Sequence, residues 1–308
     1  MSKISSFVRA VVGIIILAFL LYKLDFNEVI KAISGFGIII LFLFILKYLF
    51  EALIKAMNVK ILFDSIGEKI SYFKLFRYFI VSYSLGLFSP GRIGDLALIP
   101  MLKKEKIDYG KSILVEVVDK FITVVSLLIF SIYILFLVLP IDDAVVISFI
   151  SILAISVIGF AIFSKKIREF AKKYILRKYS GKFRGFSKNL YLLLREKKIV
   201  FFINFILTFI DIFGGSVILY FIFLNAGIKV SPFIIASISA AGKIISLIPI
   251  TLSGLGVRES VIIYFYSILG ISPVIIGSIY IVNIFVYYVL AGILVLFLFK
   301  LLSPEGRL

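Results

Sequence analysis

Six runs of about twenty apolar residues, at 7–24, 36–57, 113–139, 144–163, 199–224 and 274–299, constrain this chain more than any other feature. A helix of that length crosses the hydrocarbon core of a bilayer, roughly 30 Å thick at about 1.5 Å per residue. A soluble helical domain would need a polar face on most of its helices. These runs have none. Composition points the same way: 62% of residues are apolar and 17% charged, against about 45–50% and about 25% in soluble domains. The expected fold is an all-α polytopic membrane protein, a single membrane domain over residues 1–308. The first run follows Lys3 and Arg9, as a signal peptide would. However, Leu21-Tyr-Lys-Leu-Asp offers no small-residue cleavage site, so this run is expected to be a retained span.

Two more apolar stretches, 72–102 and 232–270, are interrupted in the middle. The first break reads Ser89-Pro-Gly-Arg-Ile-Gly-Asp95 and the second Pro249-Ile-Thr-Leu-Ser-Gly-Leu-Gly-Val-Arg-Glu259. Each is expected to be a broken re-entrant hairpin, giving eight membrane segments or more. The Lys and Arg residues orient the chain. With the N-terminus inside and each hairpin returning to its own side, inside loops hold 26 of the 34 basic residues, 13 of them between Lys165 and Lys198. Outside loops then hold only Lys23, Lys31 and Lys229. The expected location is the cell membrane, with both termini cytoplasmic and 164–198 a cytoplasmic basic loop. Ile167, Phe170, Ala171, Tyr174 and Ile175 give part of that loop an amphipathic helical spacing. It would either grip anionic headgroups or stand as a solvated face.

This orientation implies an inverted-topology repeat. Residues 1–139 run span, span, hairpin, span from inside, and 144–300 run the same order from outside. Many secondary transporters are built this way, with the substrate at discontinuous helices near the midplane.

The net charge of +17 raises nucleic acid as a partner, but the charges gather in loops at one membrane face, so none is expected. The chain has no Cys and no His, which excludes disulfides, His metal sites and Ser-His-Asp or Cys-His catalysis. No cofactor and no metal site are expected. No GxxxxGK[ST] motif is present, so ATP hydrolysis is not expected of the chain itself.

A charge at the bilayer centre costs roughly 2.5–3.5 kcal/mol on insertion scales, so those kept there are functional or paired. Lys47, Glu51 and Lys55 share one helix face. Glu51 to Lys55 has the favourable order for an intrahelical pair, and Lys55 can snorkel to the interface. In the first break, Pro90, Gly91 and Gly94 free backbone N–H groups beside Arg92 and Asp95, which suits a phosphate. The same residues would also make a tight turn closed by an Arg92–Asp95 pair. Glu116 and Asp119, with Lys120 beside them, could bind a cation, relay a proton, hold Arg92, or simply favour a helix start. In the second break, Lys243, Arg258 and Glu259 accompany Gly254 and Gly256. Asp211 lies mid-span with no charge near it in sequence. Burial would favour its neutral form, or it would pair with Lys243 or Arg258.

Phe88-Ser-Pro-Gly-Arg-Ile-Gly-Asp-Leu, followed by Val115-Glu-Val-Val-Asp-Lys, and Leu252-Ser-Gly-Leu-Gly-Val-Arg-Glu-Ser, followed by Leu269-Gly-Ile-Ser-Pro, carry a resemblance. The chain resembles, over nearly its whole length, the flippase-like membrane domain of lysylphosphatidylglycerol synthases, the multiple peptide resistance factors. Stand-alone bacterial and archaeal proteins share that domain, as does the membrane part of an archaeal dolichyl-phosphate glycosyltransferase. The resemblance implies movement of a lipid or lipid-linked headgroup between leaflets, and it implicates Arg92, Asp95, Glu116, Asp119, Arg258 and Glu259. Lys120 stands where the family more often has Arg, and Ser253 where it has Pro. No segment resembles the synthases' soluble aminoacyl-transferase domain or a nucleotide-sugar glycosyltransferase. Lipid aminoacylation by this chain alone is therefore not expected.

The leading expectation is a lipid translocase for an anionic or polyprenyl-phosphate-linked lipid. Arg92, Asp95, Glu116, Asp119, Arg258, Glu259 and Lys243 would form the lipid-binding site, with headgroup phosphate held by Arg92, Arg258 and the helix ends at the two breaks. Asp211, Glu51, Lys47 and Asp119 are candidates for coupling to an ion or proton gradient. The alternatives are a membrane-embedded enzyme using Asp95, Glu116 and Asp119 on a lipid phosphate or lipid-linked sugar, and a non-catalytic subunit that recruits a separate lipid-modifying enzyme through its basic loop.

Overall fold

The structure, a computed structural model, describes residues 3–302 apart from 171, 172, 175–180, 182 and 184. Its elements are all helical. In chain order they are α1 (Lys3–Lys23), α2 (Phe26–Ser34), α3 (Ile39–Ser65), α4 (Tyr72–Leu87), a 3-10 turn (Ile93–Ala97), α5 (Leu98–Lys103), α6 (Tyr109–Val138), α7 (Ile141–Phe163), α8 (Lys165–Phe170), α9 (Phe186–Arg195), α10 (Lys198–Asn225), α11 (Pro232–Leu247), α12 (Val257–Ile268) and α13 (Pro273–Leu302). Local chemistry sets several of the starts. Asp25 accepts from Asn27 N–H at 3.0 Å to begin α2. Ser231 Oγ caps α11, and Pro232 supplies a preset φ at its first position. Asp142 and Asp143 place negative charge on the N-terminus of α7.

Among the described residues four helices, α6, α7, α10 and α13, are long and apolar enough to cross a membrane. By length and composition they suit a multi-pass membrane protein. Two of the six expected uninterrupted spans come out differently. The first run, 7–24, coincides with α1, whose path turns by 85° into α2 at its end, and the two are long and apolar enough to span only as a pair. The run expected at 36–57 becomes α3, which has 27 residues but carries Lys47, Glu51 and Lys55 along its middle. α7 buries only Ala144, Ser148 and Gly159. Phe149 and Phe160 project from it, 66% and 69% exposed, and suit lipid tails rather than water.

The main packings are α3 on α10, α6 on α11 and α4 on α13. Phe44, Phe63, Leu75, Leu98, Phe223 and Tyr266 are fully buried between them. The amphipathic spacing expected at 167–175 lies partly outside the described residues. Further along that basic segment, α9 buries Leu190 and Leu193 and packs on α6 and α10. Its apolar side therefore faces protein.

Outside the helices, Glu105 in the turn before α6 accepts from Lys74 Nζ at 2.9 Å and from Tyr78 Oη at 2.6 Å. Burial raises its pKa, but the hydrogen bonds from Lys74 and Tyr78 outweigh that and hold it below the ordinary glutamate range. A depressed carboxylate stabilises the fold above its unfolded-state pKa, and that stabilisation disappears as pH falls through the folded-state value. Glu105→Gln should therefore flatten the acid limb of a plot of thermal midpoint against pH, below about pH 4.

Candidate functional site

Both breaks depend on backbone that only small residues adopt easily. Gly91 and Arg92 have φ of 54° and 58°, and Ser253 and Gly254 have φ of 48° and 77°. Two consecutive positive-φ residues thus lie in the turn between the helix that ends at Leu87 or Leu247 and the helical element that follows it. In the first break, Ser89 Oγ accepts from Gly94 N–H at 2.7 Å, and the turn folds back against α4. A Cβ on Gly94 would run into the Leu85 carbonyl, and one on Gly86 into Asp95 Oδ1. Gly94→Ala is expected to cost about 3 kcal/mol, since backbone cannot yield as a side chain does. The check is a lowered thermal midpoint of purified protein. In the second break, Gly256 N–H donates to Glu259 Oε2 at 2.8 Å, and Arg258 Nε donates to Glu259 Oε1 at 2.7 Å. Glu259 therefore caps α12 while holding Arg258.

The two breaks touch. Pro90 and Leu252 form an isolated antiparallel bridge, in which Ser253 N–H donates to the Ser89 carbonyl at 3.1 Å. Ser89 and Ser253, 164 positions apart in sequence, thereby satisfy backbone groups that the broken helices leave free.

Beside this junction lies a cavity of about 380 Å³. Six cations line it, Lys47, Lys55, Arg92, Lys120, Lys243 and Arg258, but only two carboxylates, Glu51 and Asp95. Leu87, Leu127, Leu219 and Ile262 make apolar walls. Ile93, Leu96 and Leu247 also line it and are 49%, 45% and 38% exposed, so its rim is apolar and open.

Glu51 is the hub of the cavity. It is 2% exposed and accepts from Lys47 and Lys243, both at 2.9 Å on Oε1. Tyr83 and Tyr287 donate to its Oε2, both at 3.2 Å. The favourable order expected for Glu51 and Lys55 is thus not used: Glu51 pairs one turn back, with Lys47, and across to α11. Lys55 instead reaches Asp211 on α10 at 3.5 Å. This corrects the expectation that Asp211 would pair with Lys243 or Arg258, because α10 packs along α3 and brings Asp211 to Lys55.

Arg92 is held by Asp95 through two 3.2 Å contacts, and Lys120 reaches the same carboxylate at 3.1 Å. The expected Arg92–Asp95 pair is therefore present, and Glu116 and Asp119 do not hold Arg92. The Arg92 guanidinium also lies 4.6 Å from the centre of the Tyr83 ring, within cation–π range. Glu116 and Asp119 lie behind the cavity wall, each 2% exposed.

Lys47, Glu51, Arg92, Asp95, Lys243 and Arg258 thus meet at one cavity. Asp211 and Glu259 stand just behind it as counter-charges, and Glu116 and Asp119 form a separate cluster. Tyr83 and Tyr287 were not foreseen. Each is a polar-tipped residue in an apolar helix, and no spacing in the sequence singles them out.

The sequence model of a protein family described as lysylphosphatidylglycerol synthase TM region matches residues 6–294. No curated protein matches the chain.

Proposed function

The chain belongs to the lysylphosphatidylglycerol synthase TM region family, a membrane domain associated with lipid modification and flipping, and from that premise we propose that it is a lipid translocase. Its cargo is an anionic or polyprenyl-phosphate-linked lipid, with the headgroup held at the two charged breaks. The observation that carries this reading is the cavity: six cations against two lining carboxylates, apolar walls, and an open apolar rim. Arg92 and Arg258 present planar forks suited to phosphate oxygens, and Lys243, 34% exposed at its side chain, adds a third positive charge. Asp95 and Glu259 orient the two arginines. Acyl or prenyl chains stay outside, against Ile93, Leu96 and Leu247.

An inverted repeat of 1–139 and 144–300 fits this role. Exchanging the halves turns the α4–α13 packing into α11–α6, α3–α4 into α10–α11, and α5–α6 into α12–α13, and all of these packings occur. The charge bias of the loops puts both termini and 164–198 in the cytoplasm. The hairpins would then enter from opposite faces and meet at Pro90 and Leu252.

The test is leaflet exchange of labelled anionic lipids in liposomes containing the purified chain. Exchange faster than in empty vesicles is expected. Exchange no faster than in empty vesicles, for phosphatidylglycerol and for a polyprenyl phosphate alike, would overturn the proposal. Product formation in detergent micelles, which have no leaflets, would assign an enzyme instead.

A further inference from the structure

Behind the cavity, α3, α6 and α10 enclose a second polar cluster, none of whose own side chains lines the cavity. Asn58, Glu116, Asp119, Asn204 and Thr208 are all at most 2% exposed. Asn204 Nδ2 lies 3.4 Å from the Asn58 carbonyl and 3.5 Å from Asp119 Oδ1. Asn58 Nδ2 donates to Thr208 Oγ1 at 3.1 Å, and Thr208 donates to the Asn204 carbonyl at 2.8 Å. Asn204 Nδ2 and the Thr208 hydroxyl are thus engaged, and one N–H of Asn58 Nδ2 is engaged as well. Three acceptors are left without a partner and sealed from solvent: Asn58 Oδ1, Asn204 Oδ1 and Glu116 Oε1. Buried acceptors are nearly always satisfied, and an orphan costs about 1–3 kcal/mol.

The charges are unbalanced in the same place. Around Glu116 stand Asp119, Lys120, Asp95 and Lys55. Lys55 is engaged by Asp211, while Lys120 and Arg92 share Asp95. Among these nearest groups three carboxylates thus face two cations, and the positive charge that balances the whole buried set stands at Glu51, which holds both Lys47 and Lys243. A proton would supply a local charge but satisfy only one acceptor. A hard monovalent cation supplies the same charge and takes several carboxylate and amide oxygens at once. No group of three or more His, Cys, Asp or Glu among the described residues forms a metal site, which argues against a divalent ion held by carboxylates alone.

We infer that a hard monovalent cation of the sodium class binds between α3, α6 and α10, held by the side-chain oxygens of Glu116, Asp119, Asn58 and Asn204. Insofar as it rests on the translocase reading, this site is the coupling site. Lys120, which follows Asp119 in sequence and lies four residues from Glu116, links the cluster to Asp95 and through it to Arg92. Occupancy thereby bears on the headgroup cavity.

The test is the thermal midpoint of the purified full chain, titrated with sodium chloride against choline chloride at fixed ionic strength. A saturable rise is expected for the wild type and for Asp142→Asn, which lies far from the cluster at the start of α7. Glu116→Gln and Asn204→Ala should need about tenfold more sodium, or more, for half the effect. Binding of radioactive sodium to the wild type gives a readout that needs no variant to fold. No saturable rise, a response that follows pH and not sodium, or the same sodium dependence in all four proteins would overturn the inference. Sodium binding without leaflet exchange would sink the translocase and spare the site, and exchange without sodium binding would do the reverse.

Discussion

Glu51→Ala is expected to destabilise the folded protein by about 3–5 kcal/mol, read as a lower midpoint in thermal or denaturant unfolding of purified protein. The carboxylate is 2% exposed and bridges Lys47 on its own helix to Lys243 on α11. Removing one partner of a buried ion pair leaves uncompensated charge in a low-dielectric site, and the cost is of that size. Two cations would be stranded here rather than one. Tyr83 and Tyr287 would also lose the oxygen to which both donate. Glu51→Gln retains the shape and one carbonyl acceptor, so its loss should be smaller. Equal midpoints for wild type and Glu51→Ala would show that the four contacts contribute nothing net to stability.

Arg92→Gln is expected to slow leaflet exchange about ten- to a hundredfold while leaving a folded protein. One lost charge-assisted hydrogen bond is worth about 1.5–3 kcal/mol, which gives that range of rates if it is made to the moving headgroup. Lys120 still reaches Asp95 at 3.1 Å, so the carboxylate is not stranded. Arg92→Lys should recover little, because an ammonium lacks the bidentate fork and its fit over the Tyr83 ring. An unchanged exchange rate with a normal thermal midpoint would remove Arg92 from the headgroup site.

The contacts within each break were legible from the sequence because they are local. Arg92 and Asp95 are three residues apart and Arg258 and Glu259 adjoin, so a short turn brings each pair together wherever the rest of the chain lies. The helix interruptions were equally legible, since Pro90, Gly91, Gly94, Gly254 and Gly256 act on their own backbone. Lys47, Glu51 and Lys55 show the limit of such reading. Helical spacing offers Glu51 two partners at four residues, and only α11, arriving with Lys243, and α10, arriving with Asp211, decide between them. Asn58 and Asn204 carry no sequence signal at all: they are ordinary polar residues in apolar helices, and their meaning comes from meeting Asp119 and Thr208 across three elements.

The sequence by itself determined an all-helical membrane chain with two charged interruptions, because apolar run length and backbone preference are properties of single segments. Only the tertiary structure decided that the interruptions bridge at Pro90 and Leu252, that six cations share one cavity, and that Glu116 and Asp119 stand apart from it. The physical reason lies in the helices themselves. A helix such as α13 is apolar all round, so nothing in its pattern fixes which side faces its neighbours. Rotation and register are set by close packing of small and large side chains between helices, and they settle which buried charges meet.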